Sequence, residues 1–418
     1  MKITKKPRMM LRANSSTKTL ETWRLLPKEV QTLIVASFFV AVGFGVIVPS
    51  IPIYSRSFGV SAAAVGLVIS SFAVMRFVSG LFSGKLVNKF GERHVFASGV
   101  YMVSLTTFLT GIAANYWQLL FFRTAGGLGS SMFSVAASSV IFKSISPELR
   151  GRAQSLYNGT FLVGAVAGPA IGGLLMSISL RAPFFGYSMM LLVSGTIAYR
   201  YLKASHLEPS ANKVEEEMTI KDALSMPAFR IAIITSFLFS LAIMGPRFSI
   251  IPIFVVEDLN GSNSFVGYIY TASALIQGAF LMRAGQLSDH RGRRFMLKVG
   301  STVTWIGMAM FLFAGHKSIF ILAMMIIGFG TAFLSTTPSA IVADVITGKS
   351  GKVIGFFQMA GDAGMMVGPV LIGFLADVYN FQTAFTATLV IYSITVLLAW
   401  RMPETLVASQ DGKKSQDF

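Results

Sequence analysis

Apolar runs of about twenty residues alternate with short polar connections along nearly the whole chain. A helix rises about 1.5 Å per residue, so a run of that length crosses the roughly 30 Å hydrocarbon core of a bilayer. The pattern predicts twelve helical spans, at roughly 30–54, 62–84, 94–113, 116–141, 151–178, 182–201, 231–255, 264–287, 295–315, 318–343, 353–378 and 381–400. The fold class expected is an all-α integral membrane protein.

Composition strengthens that reading. Only 13% of the 418 residues are charged and 53% are hydrophobic, against about 25% charged in soluble domains. Mean hydropathy is +0.66. The net charge of +17 would suit nucleic acid if it were clustered on one fold face, but it follows topology instead. With the N-terminus inside, 28 of the 35 Lys and Arg fall in the tails, the even-numbered connections and the inner ends of spans. Only Arg56, Arg181 and Lys317 fall in outer connections. Such an asymmetry orients a membrane protein with its positive loops in the cytoplasm, so both termini are expected there, in a multi-pass cell-membrane protein whose basic loops meet anionic lipid. Nucleic acid is not an expected partner. With no cysteine, thiol redox chemistry and thiolate metal sites are excluded. The first span is too long for a signal-peptide core and reads as a retained anchor.

The chain is also written twice. Ile51-Pro52-Ile53-Tyr54 recurs as Ile251-Pro252-Ile253-Phe254, Val65-Gly66 as Val266-Gly267, and Gly168-Pro169 as Gly368-Pro369. The loop from Gly84 through Asn88 and Gly91 to Arg93 recurs from Gly285 through Asp289 and Gly292 to Arg293 and Arg294. All four matches share an offset of 200 or 201 residues. Six spans repeated in the same orientation give two six-helix halves related by pseudo-twofold symmetry, with substrate held between them near the midplane. The expected organisation is a basic tail at 1–29, one half at 30–202, a charged linker at 203–229, a second half at 230–402 and a tail at 403–418.

These features resemble the major facilitator superfamily, and in particular its twelve-span drug:proton antiporter branch. The loops after spans 2 and 8 resemble the family's G-x-x-x-D-[RK]-x-G-[RK]-[RK] pattern. Leu119 to Gly129, with Arg123 and Gly127, resembles its span-4 arginine motif, although Gly126 stands where a polar residue is usual. Gly164-Ala-Val-Ala-Gly168-Pro169-Ala-Ile-Gly172-Gly173 matches the span-5 signature of the antiporters. The resemblance implies alternating access, a gate latch in which Asp289 meets the N-terminus of span 5, and a role for Arg123 in proton coupling or substrate contact. Asn88 departs from the pattern and brings no charge, so a weaker latch toward Ser350-Gly351 at the start of span 11 is expected. Gly164, Gly168 and Gly172 are four apart and line one helix face, where small residues admit a neighbouring backbone. Pro169 bends the helix, and Gly364, Gly368 and Pro369 repeat the device in span 11. Tight packing and a cavity-shaping bend are both open readings.

Ionisable residues within spans are functional candidates, because each costs free energy unless paired or hydrated. Asp362 is about ten residues into span 11, roughly 15 Å deep, and is the one acid deep in any span. It is either half of a packing ion pair with Arg76 or Arg123, or a carboxylate that loads and releases a proton. Arg76, its repeat partner Gln277, Arg247, Asn158 and Gln358 are candidates for the substrate cavity; Arg283 is close enough to the inner face to snorkel. Three deep Arg (76, 123, 247) against one Asp imply a net positive cavity, and span 1 lacks the acid that exporters of cationic drugs often carry.

The expected function is therefore a secondary transporter acting alone on a small molecule, with proton-coupled efflux of amphiphiles first. Import or facilitated passage of an anionic or neutral metabolite is the alternative, and a receptor or membrane enzyme a third. The four His (94, 206, 290, 316) are scattered, so no metal and no cofactor is expected. Gly348-Lys349-Ser350 ends like a phosphate loop, but Ala343 replaces its first glycine.

Overall fold

The computed structural model describes Trp23 and residues 26–145, 147–202, 218–345 and 351–405. Among them the chain forms twelve membrane helices and no strand. In the first half, span 1 is Lys28–Ile47 continued by Ser50–Arg56, and spans 2 to 6 are Ala62–Phe90, Glu92–Gly111, Tyr116–Ser144, Pro147–Ile178 and Ala182–Tyr201. In the second half, span 7 is Pro227–Phe239 continued by a π turn at Ser240–Met244, then Gly245–Phe248 and Ile250–Glu257. Spans 8 to 12 are Asn263–Arg291, Arg293–Met310, Lys317–Leu334 with Thr337–Val345, Gly351–Val378 and Phe381–Arg401. Ten of these are apolar enough by themselves to cross a bilayer. Spans 3 and 4 carry more hydroxyls, which pair internally: Ser104 donates to the Ser188 carbonyl at 2.8 Å, and Ser83 and Ser131 meet at 2.7 Å.

Local chemistry sets the helix ends in both repeats. Ser61 and Ser262 cap spans 2 and 8 by accepting from Ala64 N and Phe265 N, and Asn115 and Asn380 cap spans 4 and 12. Gly91 and Gly292, with φ of 79° and 90°, turn the chain between spans 2 and 3 and between spans 8 and 9. Only glycine takes that conformation cheaply.

The same repeat positions anchor each half at the face that carries the termini, with reversed charge. Glu92 opens span 3 and pairs with Lys143 at 2.7 Å, while Arg293 opens span 9 and pairs with Asp344 at 3.0 Å. An acid suits a helix N-terminus and an arginine does not. Glu404, after span 12, supplies the missing anion by accepting from Arg293 N at 2.7 Å and Arg294 N at 3.2 Å. A Cβ on Gly292 would lie 2.2 Å from that carboxylate. Arg93 stacks over Tyr199 at 4.9 Å, and Arg294 donates to the Trp400 carbonyl. These loop residues thus make contacts within their own halves.

Glycine decides how the helices meet. Cβ atoms on Gly164, Gly168 and Gly172 would lie 2.2, 2.4 and 2.2 Å from the span-1 backbone, and Gly364 and Gly368 press likewise on span 7. Both halves also touch each other through two equivalent seams. Gly66 of span 2 abuts the Pro369 carbonyl, where a Cβ would come within 2.2 Å, and Gly267 of span 8 abuts the Pro169 carbonyl at 2.5 Å. Each glycine–proline stretch therefore packs its own half, as one of the two expected readings has it, and also seats the other half.

The seams close only at the face away from the termini. There Asp377, at the end of span 11, accepts from Ala62 N and Ala63 N at 2.7 Å each, capping span 2. Arg56 grips Glu257 with two bonds, at 2.7 and 3.1 Å, and Ser264 donates to the Gly173 carbonyl. Toward the termini the same four helices part: a Cβ on Gly84, Gly159, Gly285 or Gly355 would meet nothing within 4 Å. The molecule is open on its basic face and shut on the other. Asn88 is exposed at the open end. The side chains of Asp289 and Asn158, and Ser350, lie outside the described residues, and the expected inner latch lies outside them too.

Two outcomes follow. Because the chain has no native thiol, a Ser264→Cys probe reports the closed seam cleanly. Adding Gly66→Val should raise its labelling by an impermeant maleimide from that side several-fold, since the overlap is relieved only by parting the halves. Asp377→Asn removes the charge from two helix-terminal bonds, each worth about 1 kcal/mol at a partly exposed site, and should raise the same labelling by about tenfold. Unchanged labelling in both variants would remove the seam from the closing mechanism.

Candidate functional site

Two intramembrane charges face the gap between the halves. Arg76, midway along span 2, is exposed, and Asp362, midway along span 11, is half-buried. An arginine exposed to lipid at that depth costs about 3 kcal/mol or more, so its exposed surface belongs to the open cavity. Gln358 is exposed nearby on span 11, and Gln277 is half-buried on span 8.

Backbone packing aims both charges. A Cβ on Gly127 of span 4 would lie 2.5 Å from the Phe72 carbonyl and 3.0 Å from Arg76 N. Span 4 therefore closes on one side of span 2, where Thr124 also donates to Ser71 at 2.8 Å. On span 11, Gly361 and Gly364 press against span 7. Met365 packs instead against the core of the first half, and Asp362, three residues earlier, shares its face.

Arg76 is the charge that acts on Asp362, but no ion pair closes between them in this state, within a 4.0 Å reach. Tyr157 of span 5 also lies in the field of Arg76 and beside Ser37 of span 1. Four spans from both halves thus converge on one acid, one guanidinium and one phenol. Whatever brings the halves together on the basic face must change how these groups see each other and water.

The other two deep arginines are placed differently from expectation. Arg123 is 6% exposed, with its guanidinium 4.8 Å from the Phe72 ring centroid and Nε unpartnered; Tyr187 is its electrostatic neighbour. A desolvated cation over an aromatic face recovers about 2 kcal/mol, a fraction of what burying the charge costs. Arg247 sits over Tyr270 at 5.3 Å, and the Tyr270 hydroxyl donates to the Arg247 carbonyl. Each is held inside its own half by a ring. The expected excess of three arginines in the cavity is corrected: Arg76 alone of the three is exposed there. Arg283 is exposed, 5.9 Å from the Phe280 ring, as snorkelling requires. Among the described residues no cluster of metal-ligating side chains forms.

Sequence reasoning assigned no ring partner to Arg123 or Arg247, did not bring Tyr157 to Arg76, and missed the clasps of the closed face. Phe72 stands four residues before Arg76, but no spacing rule tells which ring an arginine on another helix will reach. The Arg56–Glu257 clasp had a signal: opposite charges stand just past the two copies of the Ile-Pro-Ile motif.

Comparison with known proteins agrees with this architecture. The profile of the Major Facilitator Superfamily matches residues 33–257 and 247–416. The chain is 24% identical over 381 residues to an uncharacterized MFS-type transporter of Methanocaldococcus jannaschii, covering 89% of this chain and 97% of that one. It is 22% identical to Multidrug resistance protein 1 of Bacillus subtilis, covering 90% and 98%. In structure it is similar to a bacterial homolog of the human lysosomal transporter Spinster in its inward-facing, unoccupied conformation, with a TM-score of 0.74 at 14% identity over 93% of this chain and 98% of that one. It also resembles the human organic anion transporter MFSD10, with a TM-score of 0.65 at 15% identity over 89% and 99%. Twelve helices in two pseudo-symmetric halves, glycine–proline seams and a family profile over nearly the whole length lead to one conclusion: the chain belongs to the major facilitator superfamily.

Proposed function

We propose that the chain exports small amphiphilic molecules across the cell membrane in exchange for protons, working as a monomer with both termini in the cytoplasm. On this reading the basic face is the cytoplasmic one, and the structure is the state that receives substrate from inside. The observation that carries the proposal is the placement of Asp362 and Arg76 on opposite halves, facing one open cavity without touching. A guanidinium that approaches a carboxylate favours its ionised form, and loss of water favours the protonated form. Rocking the halves changes both, so Asp362 can take a proton in one state and release it in the other. Several relatives are named as multidrug or quinolone resistance proteins, which supports outward transport.

Within the same reading, Asp289 is the counterpart of Asp377. It reaches the N-terminus of span 5 when the cytoplasmic face shuts, as Asp377 reaches that of span 2 now. The cavity carries one exposed cation and one anion at midplane depth, which suits a substrate with a single charge and an apolar body better than a small polar anion. Arg123, packed behind span 2 against Phe72, holds the helix that carries Arg76 and acts on coupling through it.

Dye accumulation in energised cells tests the proposal, with one cationic and one anionic fluorescent amphiphile and a protonophore control. Wild type should extrude a dye in a protonophore-sensitive way. Asp362→Asn, matched for membrane abundance, should fall to the level of cells lacking the protein. A variant that extrudes normally would make Asp362 a packing charge. Exchange of substrate without any imposed gradient, in both wild type and variant, would instead select facilitated passage.

A further inference from the structure

A second polar space lies wholly inside the second half, apart from the Arg76–Asp362 cluster. Spans 7, 9, 10, 11 and 12 surround a cavity of about 200 Å³. Ser236, Ser335 and Ser339 contribute hydroxyls to its lining, while Phe239, Phe357 and Leu297 contribute apolar surface, and no charged side chain takes part. Tyr392 and Thr395 also line it, at 0% and 1% exposure; the Tyr392 hydroxyl lies beside that of Thr304, and the Thr395 hydroxyl has no hydrogen-bond partner. Buried hydroxyls are rarely left so.

The cavity arises from a break in span 10. The helix Lys317–Leu334 ends, the chain turns through Ser335 and Thr336, and Thr337–Val345 begins, with the Thr337 hydroxyl donating to the Phe333 carbonyl across the break. Pro338 is tolerated there because the first helical turn needs no donor from it. The turn carries Ser335 and Ser339 to the mouth, where both are exposed. Hydroxyls exposed at bilayer depth belong on water-lined protein surface and not on lipid. Phe357, which lines the cavity, lies five residues before Asp362 on span 11, roughly 7.5 Å along the helix axis and on a different face of it.

We propose that this pocket receives the uncharged aromatic end of the transported amphiphile, with a hydroxyl on that end donating to a serine oxygen, the Ser335 and Ser339 protons being held by the Ala332 and Thr336 carbonyls. The size fits: an engineered cavity of about 150 Å³ holds benzene, so this one holds a single ring with a small polar substituent. Recognition is then two-point, with the charged end at Asp362 and Arg76 and the neutral ring in the side pocket. The inference rests on the proposed export reading for what the bound molecule does, but not for whether the pocket binds.

Photolabelling of the purified full chain in lipid nanodiscs tests it without any gradient, using a trifluoromethyl-diazirine derivative of benzyl alcohol and peptide mapping. Adducts are expected on the segments holding Phe357 and Pro338. Unlabelled benzyl alcohol should compete about three- to tenfold better than toluene, the worth of one hydrogen bond. Ser339→Trp or Leu297→Trp, which fill the space from opposite sides, should abolish the adducts, and Ser339→Thr should keep them. If one filled variant does not fold, the other and the competition in wild type decide. Adducts confined to lipid-facing positions such as Phe374 and Leu397, unaffected by the filled variants, overturn the pocket. Labelling without extrusion in energised cells would leave the pocket standing and remove the export reading; extrusion without labelling would do the reverse.

Discussion

The architecture depends on two backbone contacts in which a glycine of one half rests on the proline carbonyl of the other. Gly66 meets Pro369 and Gly267 meets Pro169, each at a distance that leaves no room for a side chain. Proline at these points brings no amide donor to its own helix, and its carbonyl lies against a glycine whose missing side chain lets the two backbones touch. Lipid offers no hydrophobic drive to hold apolar helices together, so close backbone packing must do it. Two such seats, related by pseudosymmetry, define an axis about which the halves can tilt without losing contact. Everything polar in the gap is positioned relative to that axis.

The charged anchors show how the repeat can be kept while its chemistry changes. The first half opens span 3 with an acid and pairs it to Lys143; the second opens span 9 with an arginine and pairs it to Asp344. The ion pair survives the reversal because it needs only opposite signs, but the helix dipole does not reverse with it. Glu404 repairs the mismatch from beyond span 12 and so ties the start of the last tail to the span 8–9 turn. The two halves hold their ends at the basic face by different means, and each can move as a unit.

Much of the fold was legible because it depends on periodicity. The apolar runs, the 200-residue offset and the glycine stripes are all local or repeated signals, and each was found where expected. The site was legible only in part. Depth along a helix follows from counting, so Asp362, Arg76 and Gln277 were identified as deep. The direction in which a deep side chain points does not follow from counting: Arg123 and Arg247 turn into their own halves because Phe72 and Tyr270 offer ring faces there. Asp377 escaped notice because a residue at the very end of a span reads as a loop residue, although its carboxylate caps a helix 315 positions away in the chain.

The clasps also bear on energetics. The closed face is held by glycine seats, a carboxylate on the N-terminus of span 2 and one bidentate ion pair at a partly exposed position, where such pairs contribute about 1 kcal/mol or less. On the proposed reading the cytoplasmic face closes through contacts of the same kinds, with the acid on span 8 and Asn88 neutral on span 2. Each face then has one anionic cap, carried by a different helix pair. Opening one face and shutting the other exchanges similar interactions, so the two states differ by a small free energy. A difference of about 1.4 kcal/mol shifts such a balance tenfold. A proton on Asp362, or a ligand that prefers one state by that much, suffices to set the direction of the tilt.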